Sequence, residues 1–186
     1  MDVKRAFDLT MSVLALLLLS PLLAVVSLVV FFDDGAPVVF KQNRVGKDNG
    51  LFKVYKFRTM RRETRNTAQN ELRGEDCMTR SGKLLRVLSL DELPQLWNIL
   101  KGEMSFVGPR PLIPEEDTIR QMRAEAGVYA ALPGLTGWAQ VNGRASVGDE
   151  EKVALDREYI ERQSFWLDMK ILVRTAFQVL TRKDVN

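Results

Sequence analysis

The chain has 186 residues, of which 46% are hydrophobic and 27% are charged, and its formal net charge at pH 7 is +3. It contains no histidine and one cysteine, Cys77, which excludes an intrachain disulfide, a histidine general base and a histidine-bound zinc. Acid–base or nucleophilic chemistry must therefore come mainly from carboxylates, lysines, tyrosines or a metal-bound water. The length suffices for one domain with a substantial hydrophobic core.

The first feature is a run of twenty-four uncharged residues, 9–32, that follows Lys4 and Arg5. A membrane-spanning helix needs about 20 apolar residues, whereas a signal peptide has an apolar region of only about 7–15 followed by a cleavage site. Ser20-Pro21 interrupts the run. Because proline removes a helical hydrogen bond, we expect a bend there, with the Ser20 hydroxyl as partner for a freed carbonyl. Basic residues on both flanks favour a re-entrant helix, residues 1–33, with both ends in the cytoplasm.

The remaining elements are predicted in chain order. Residues 34–65 should form a β-hairpin, because two β-prone stretches flank the turn residues 47–50. A polar loop, 66–80, is followed by a mainly helical region, 82–101, and a polar helix, 114–130. A glycine-rich loop with a short strand, 133–144, precedes an amphipathic helical region, 150–181, suited either to the core or to a membrane interface. The prediction is an α+β fold in which residues 34–186 form a mainly helical cytoplasmic catalytic domain.

Residues 41–65 carry nine basic and two acidic residues, a net charge of +7. Such a block favours an anionic partner, whether phosphates, an acidic lipid surface or nucleic acid, although a solvated basic face is the simpler explanation. Phe52, Tyr55 and Phe57 lie between the cations. Aromatic side chains in this arrangement can stack on bases, but they are more simply explained as the core of the hairpin.

The chemistry is most readily assigned to Asp91 and Glu92, adjacent acids that follow Arg86. A carboxylate can attack phosphorus or hold Mg²⁺, and arginine binds phosphate through its planar guanidinium group. The structural alternative is that Ser89 and Glu92 form a capping box at the start of a helix. Pro94 weakens this alternative, because it would lie inside the helix that Ser89 caps. Either the helix is kinked or it begins at Asp91.

Two further arginines lie on stiff or tightly turned backbone: Arg110 stands between two prolines and Arg144 follows a glycine. Arginines held in this way suit diphosphate binding, although an exposed arginine on a surface turn explains each motif equally well. The sequence contains no P-loop, no dinucleotide-binding glycine motif and no zinc spacing.

Together these segments resemble the small monotopic phosphoglycosyl transferases of the bacterial sugar transferase family. The resemblance covers nearly the whole chain in order, which makes it far more specific than any single motif. The matching stretches are Ser20-Pro21, Phe40-x-Gln-Asn-Arg44-x-Gly46, Lys53-Val-Tyr-Lys-Phe-Arg-Thr-Met60, Arg86-x-x-Ser-Leu-Asp91-Glu92-Leu-Pro-Gln-Leu-x-Asn98, Lys101-Gly-Glu-Met-Ser-Phe-Val-Gly-Pro-Arg-Pro111 and Pro133-Gly-Leu-Thr-Gly-Trp-Ala-Gln-Val-Asn-Gly-Arg144.

The resemblance implies an enzyme at the cytoplasmic face of the bacterial inner membrane that moves a sugar phosphate from a UDP-sugar to undecaprenyl phosphate and releases UMP. It implies Asp91 as a nucleophile that forms a covalent aspartyl-phosphosugar, and Glu92 as a helper in proton transfer or Mg²⁺ binding. It implies Arg86 as a phosphate ligand, and we expect Mg²⁺ to be held by the two acids. Contacts to the nucleotide sugar or the lipid phosphate are further expected from three basic residues: Lys56, Arg110 and Arg144.

Two other functions compete with this interpretation. A membrane-tethered scaffold or nucleic-acid-binding protein would use the basic block, bind polyanions in a salt-sensitive way and give Asp91 and Glu92 no role. A membrane-bound phosphohydrolase would use the same acids with water as acceptor. The resemblance favours the transferase, with membrane lipids as its surroundings and no nucleic acid as partner. None of the motifs specifies the sugar or an oligomeric state.

Overall fold

The computed structural model describes residues 3–61, 77–143 and 147–181, and it has the mixed, helix-rich character predicted from the sequence. Short 3₁₀ helices at Lys47–Asn49, Leu90–Gln95 and Val128–Ala130 join its longer elements. In chain order these are α1 (Val3–Asp34), β1 (Val39–Val45), β2 (Leu51–Phe57), α2 (Arg80–Val87), α3 (Leu96–Lys101), β3 (Ser105–Val107), α4 (Asp117–Glu125), β4 (Gly134–Thr136), α5 (Trp138–Asn142), α6 (Asp149–Arg162) and α7 (Phe165–Thr181).

Helix α1 has 32 residues and is, within the described part of the chain, the one helix long and apolar enough to cross a membrane by length and composition. Pro21 lies inside it. Because Pro21 has no N–H, the Leu17 carbonyl loses its usual partner, and the Ser20 hydroxyl donates to that carbonyl at 2.8 Å. The role expected of Ser20 is therefore confirmed. The helix is continuous from end to end, and the bend with a re-entrant path stays a prediction.

One face of α1 packs against the rest of the chain on both sides of Pro21. Before the proline, Leu19 packs against a core cluster that contains Ile99. After it, Val26 belongs to a second cluster together with Leu85. Helix α1 therefore shares its core with described residues from the rest of the chain. The opposite face of α1 exposes large apolar side chains: Leu14, Leu17, Leu18, Val25, Leu28, Val29 and Phe32.

The predicted hairpin is confirmed, since β1 and β2 pair antiparallel over their full lengths. The 3₁₀ turn between them places Asp48 and Asn49 at φ 54° and 58°. Asp and Asn tolerate this left-handed conformation better than most residues, because their short polar side chains can hydrogen-bond locally. The loop predicted at 66–80 lies largely outside the described residues.

The region predicted as mainly helical, 82–101, is divided into α2, a 3₁₀ helix and α3. Ser89 lies at φ 53° between the first two, and its side chain makes no capping hydrogen bond, so the capping-box alternative does not hold. The residue that caps a helix here is Thr79, at the start of α2. A kink therefore precedes Asp91. Gly102 ends α3 in the left-handed conformation that commonly closes a helix.

The short strand predicted within 133–144 is confirmed as β4, whereas its pairing into a second small sheet was not predicted. β3 and β4 pair in parallel, with Val107 opposite Thr136. A Cβ on Gly134 would lie 2.1 Å from the backbone nitrogen of Gly108, so glycine is required for this close approach of strand and loop. The pairing places the end of β3, and the loop that follows it, against the described part of the glycine-rich segment, residues 133–143.

The C-terminal region, predicted as helical over 150–181, consists of two helices, α6 and α7. Helix α7 buries Asp168 and Ile171, and it exposes Trp166, Val173 and Phe177 on another face. Helix α7 therefore has one buried face and a separate exposed face that carries apolar side chains. Its place at a membrane interface stays a prediction.

Candidate active site

Glu92 is the centre of a small cluster of charged side chains. Its Oε1 atom accepts a hydrogen bond from Lys56 Nζ at 2.6 Å and another from Arg110 Nη2 at 2.9 Å. Lys56 belongs to β2, Glu92 to the 3₁₀ helix after α2, and Arg110 to the loop after β3. The fold therefore brings together three residues singled out in the sequence, although 36 and 18 positions separate the two bases from Glu92.

Asn98 holds β2 against the segment that carries Glu92. This residue of α3 is completely buried. Its Oδ1 accepts a hydrogen bond from the Tyr55 backbone N–H at 3.1 Å, and its Nδ2 donates to the Lys53 carbonyl at 2.7 Å. The side-chain amide thus satisfies one donor and one acceptor of the strand. Lys56, the residue after Tyr55, is thereby kept beside the 3₁₀ helix.

The pKa values of the two adjacent carboxyl groups are shifted in opposite directions. Burial alone would raise the pKa of Glu92, but the charges of Arg110 and Lys56 lower it to about 2. Asp91 is only 8% exposed, and burial together with the charge of Glu92 raises its pKa against the opposing charges of Lys56 and Arg86. Glu92 is therefore ionised at neutral pH, which favours a positioning or metal-binding role over proton transfer.

Arg86 lies in α2, close enough to Asp91 for the Arg86 charge to lower the pKa of the Asp91 carboxyl group. Its Nε donates to Thr59 Oγ1 at 3.1 Å, and the residue as a whole is exposed. It is thus accessible to an anionic ligand next to Asp91. Arg144, the last of the predicted substrate ligands, lies outside the described residues.

The loop that carries Arg110 is held through its own carbonyl groups. Because its two prolines have no N–H, carbonyl oxygens are the main backbone groups that can anchor it. Four consecutive carbonyls, those of residues 109–112, each accept a hydrogen bond. The donors are, in order, Gly134 N at 2.9 Å, Arg123 Nη1 at 2.7 Å, Arg44 Nη1 at 3.2 Å and Val45 N at 2.9 Å.

Arg44 and Arg123 support this loop, and neither was singled out as a site residue from the sequence. Arg123 is buried, and its Nη2 lies 2.5 Å from Asp156 Oδ2 in α6. A signal existed for Arg44, which belongs to one of the matching stretches. No local signal marked Arg123, because it stands in a polar helix among other charged residues.

Arg123→Ala is expected to lower the free energy of unfolding by about 3–5 kcal/mol, because it leaves Asp156 buried without its partner. Arg157→Ala is the matched control. Arg157 pairs with Glu161 on the exposed surface of α6, and such pairs contribute about 1 kcal/mol or less. Thermal unfolding of both variants in detergent measures the difference, and equal losses would contradict a structural role for the buried pair.

Asp91 and Glu92 suit Mg²⁺ in combination with a substrate. Across residues 3–61, 77–143 and 147–181, no group of three or more Asp, Glu, Cys or His side chains forms a metal site by itself. Mg²⁺ is, however, commonly held by one or two carboxylates together with substrate phosphates and water. Glu92 Oε1 already accepts from Lys56 and Arg110, whereas Asp91 accepts from no side chain in these segments. The donor set fits a metal ion that binds together with a diphosphate.

Lys56 and Arg110 pair with the ionised Glu92 next to a second carboxylate, and this arrangement suits phosphate chemistry. Comparison with known proteins points to the same chemistry. The sequence profile of the bacterial sugar transferase family matches residues 1–182. EpsL, an uncharacterized sugar transferase of Bacillus subtilis, is 43% identical over 186 residues, which cover 100% of this chain and 91% of EpsL. The chain therefore belongs to the bacterial sugar transferase family.

Two other relatives are longer proteins. An undecaprenyl-phosphate glucose phosphotransferase of Komagataeibacter xylinus is 46% identical over 184 residues, which cover 92% of this chain and 35% of the relative. A UDP-glucose:undecaprenyl-phosphate glucose-1-phosphate transferase of Escherichia coli is 39% identical over 188 residues, covering 97% of this chain and 40% of the relative. The chain thus spans well under half the length of these two proteins.

Proposed function

We propose that this protein is a polyprenyl-phosphate sugar-1-phosphate transferase that takes a phosphosugar from a UDP-sugar and passes it to undecaprenyl phosphate. The observation that carries the proposal is the pairing of Lys56 and Arg110 with Glu92, directly beside Asp91. Bases in this arrangement suit a diphosphate, and a carboxylate that accepts from no side chain among the described residues suits attack on phosphorus. The substrate classes follow from the names of relatives, two of which act on UDP-glucose and undecaprenyl phosphate.

In the first step, an Asp91 oxygen attacks the phosphorus that bears the sugar. The bond between this phosphorus and the bridging oxygen breaks, and UMP leaves with the bonding electrons. Asp91 then carries the phosphosugar as an acyl phosphate. Arg86, Lys56 and Arg110 stabilise the negative charge that develops on the transferring and leaving phosphates.

In the second step, an oxygen of undecaprenyl phosphate attacks the same phosphorus, the bond to Asp91 breaks, and the carboxylate is regenerated. Two steps with a side-chain nucleophile replace one direct reaction between two bound phosphate anions. Mg²⁺, held by Asp91 and Glu92 with the diphosphate, would supply further positive charge at the transferring group.

The rate of UMP release is expected to fall at low pH as Asp91 is protonated, and to start falling at a higher pH than an ordinary aspartate would give. Burial and Glu92 raise the pKa of Asp91, and only its ionised form attacks. Lys56→Met removes a charge that lowers this pKa, so the midpoint should move to higher pH. The control is Lys41→Met, an exposed lysine of β1. A midpoint in Lys56→Met that is unmoved or lower would contradict the assignment.

The proposed membrane setting is a re-entrant α1 with both ends on the cytoplasmic side. At the first end, Lys4 Nζ lies 2.5 Å from Asp168 Oδ2. At the other end, the Asp33 carboxylate accepts a hydrogen bond from the Ser81 hydroxyl at 2.6 Å. Helix α1 is roughly 48 Å long at 1.5 Å per residue, and the hydrocarbon core of a bilayer is about 30 Å thick. A helix that crossed the bilayer would separate these partners, which supports the re-entrant path.

Asp2→Cys and Phe40→Cys, each in a Cys77→Ser background, are expected to react from the same side. A membrane-impermeant maleimide should label neither variant in intact cells and both after permeabilisation, because a re-entrant path places both ends of α1 in the cytoplasm. Pro21→Ala should favour a straighter helix, and its labelling pattern is compared with that of wild type. Labelling of position 2 from outside intact cells would rule out the re-entrant path.

Two of the basic residues described between positions 41 and 61 are less available to nucleic acid than their charge suggests. Lys56 is paired with Glu92, and Arg58 Nη2 donates to the backbone carbonyls of Asp34 and Gly35. Phe57, one of the aromatic residues between the cations, is buried in the core and is not exposed for stacking on a base. These contacts support a partner other than nucleic acid.

The proposed function is tested by incubating the protein with a panel of labelled UDP-sugars, undecaprenyl phosphate and Mg²⁺. Transfer predicts a labelled lipid whose formation depends on the lipid phosphate. A phosphohydrolase would instead release water-soluble sugar phosphate at the same rate with or without the lipid. Release of soluble product alone would contradict the proposal.

A further inference from the structure

The guanidinium group of Arg86 is held at one of its three nitrogen atoms. Its Nε donates to Thr59 Oγ1 at 3.1 Å. Among the residues that the structure describes, neither Nη atom donates to a protein acceptor, and Arg86 as a whole is exposed. The N–H groups of a guanidinium lie in one plane, and those on the two Nη atoms form an end that can grip a phosphate with two parallel hydrogen bonds. The contact with Thr59 therefore leaves this phosphate-binding end open.

Thr59 lies on a rigid support just after β2. It is only 6% exposed. Its carbonyl accepts a hydrogen bond from Thr79 N at 3.0 Å, and the next residue, Met60, forms an antiparallel bridge with Met78. Threonine is β-branched, which restricts its χ1 rotamers. Backbone pairing and a stiff side chain together fix the Oγ1 atom that accepts from Arg86.

Helix α2 packs directly on Thr59. A Cβ at Gly82 would lie 2.2 Å from the Thr59 carbonyl oxygen and 2.7 Å from its Cα, so a larger residue would force the two segments apart. Gly82 and Arg86 are spaced i, i+4 and lie on the same face of the helix, one turn apart. The face of α2 that carries Arg86 is thus the face that rests on Thr59, and the charge of Arg86 acts from there on Asp91.

We propose that Thr59 is a positioning residue, whose hydroxyl aims the Nη end of Arg86 at the phosphate that Asp91 attacks. This inference rests on the proposed transferase function and adds a residue that acts on the substrate only through Arg86. An arginine held at Nε needs little reorientation when negative charge develops on the transferring phosphate, and preorganised donors of this kind stabilise a transition state. Thr59 should therefore affect the rate of the chemical step rather than the affinity for UDP-sugar.

The first test compares Thr59→Val with Thr59→Ser by single-turnover UMP release without acceptor. Valine keeps the shape and loses the acceptor atom, so the maximal rate should fall about tenfold, the effect of one hydrogen bond to a charged group, at an unchanged half-saturating concentration of UDP-sugar. Serine keeps the hydroxyl and should restore most of the rate. The matched control is Thr136→Val, which should match wild type: Thr136 is also 6% exposed, and its hydroxyl bonds to that of Thr175 instead of to an arginine.

The second test repeats Thr59→Val in an Arg86→Lys background. Lysine keeps the positive charge but has no Nε–H group for Thr59 to accept from. Loss of the hydroxyl should then slow UMP release by about twofold or less, against about tenfold in wild type, because residues that act through one contact are not additive. A hydroxyl that only stabilises the fold would lower the rate by the same factor in both backgrounds. Equal factors, an unchanged rate in Thr59→Val, or a loss confined to substrate affinity would overturn the inference.

A third measurement does not depend on activity. The NMR signal of the Arg86 Nε–H group, identified by its absence in Arg86→Lys, should exchange with solvent about tenfold faster in Thr59→Val than in wild type or Thr59→Ser, because the hydrogen bond that slows exchange is lost. Equal exchange in all three proteins would overturn the inference. Failure of the proposed function is distinguishable, because wild-type protein would then release no UMP from the UDP-sugars while the difference in exchange would remain.

Discussion

Asp91→Asn is expected to abolish transfer, with a loss of about 10⁴-fold or more, while the protein stays folded. The amide keeps the size of the side chain and places no charge in a buried position. It loses the nucleophile, because a neutral amide oxygen does not form the acyl phosphate. Lipid-linked product formed from labelled UDP-sugar measures the loss, and circular dichroism checks the fold.

The covalent step is measured without any acceptor. Wild-type protein given UDP-sugar should release at most one equivalent of UMP and gain the mass of a phosphosugar on the peptide that contains Asp91. Glu92→Gln is the matched control, since it neutralises the neighbouring acid and keeps the nucleophile. The Glu92→Gln variant should release UMP more slowly, because Lys56 and Arg110 lose the carboxylate with which both pair. Its Asp91 peptide should still gain the mass of a phosphosugar. Substantial turnover by Asp91→Asn would contradict the assignment of Asp91 as the nucleophile of the covalent step.

Removal of Mg²⁺ is expected to lower turnover by about 10²–10³-fold or more, the range for losing one charge stabiliser in a transition state. Asp91 and Glu92 are hard oxygen donors, and a diphosphate supplies the remaining ligands. EDTA should therefore stop activity, and added Mg²⁺ should restore it.

A control separates metal binding from general salt effects. Ca²⁺ at equal concentration should restore less activity, because Mg²⁺ demands near-ideal octahedral geometry at about 2.0–2.1 Å and Ca²⁺ does not. A binding readout accompanies it: the affinity for UDP-sugar should fall in EDTA for wild type, and the fall should be smaller for Glu92→Gln. Full turnover in excess chelator would contradict the proposed requirement for Mg²⁺.

Local patterns in the sequence predicted much of the secondary structure. The uncharged run 9–32 predicted α1, since a long apolar stretch can be recognised from the local sequence, without knowledge of contacts to other parts of the chain. The turn at residues 47–50 predicted the hairpin. The break at Ser89 was only one of two possibilities, because a positive φ in a non-glycine residue depends on the packing on either side of it. The pairing of β3 with β4 was missed, since each strand has only three residues and carries almost no pattern.

By itself, the sequence determined the family, through motifs in order along nearly the whole chain, and it identified the residue types on which the proposed chemistry depends. Only the tertiary structure decided which of these side chains meet. Lys56 and Arg110 converge on Glu92 from distant elements, and buried Arg123 anchors the Arg110 loop. The physical reason is that such contacts depend on packing between elements: the pKa of about 2 at Glu92 arises from charges 18 and 36 positions away, and no local spacing encodes them.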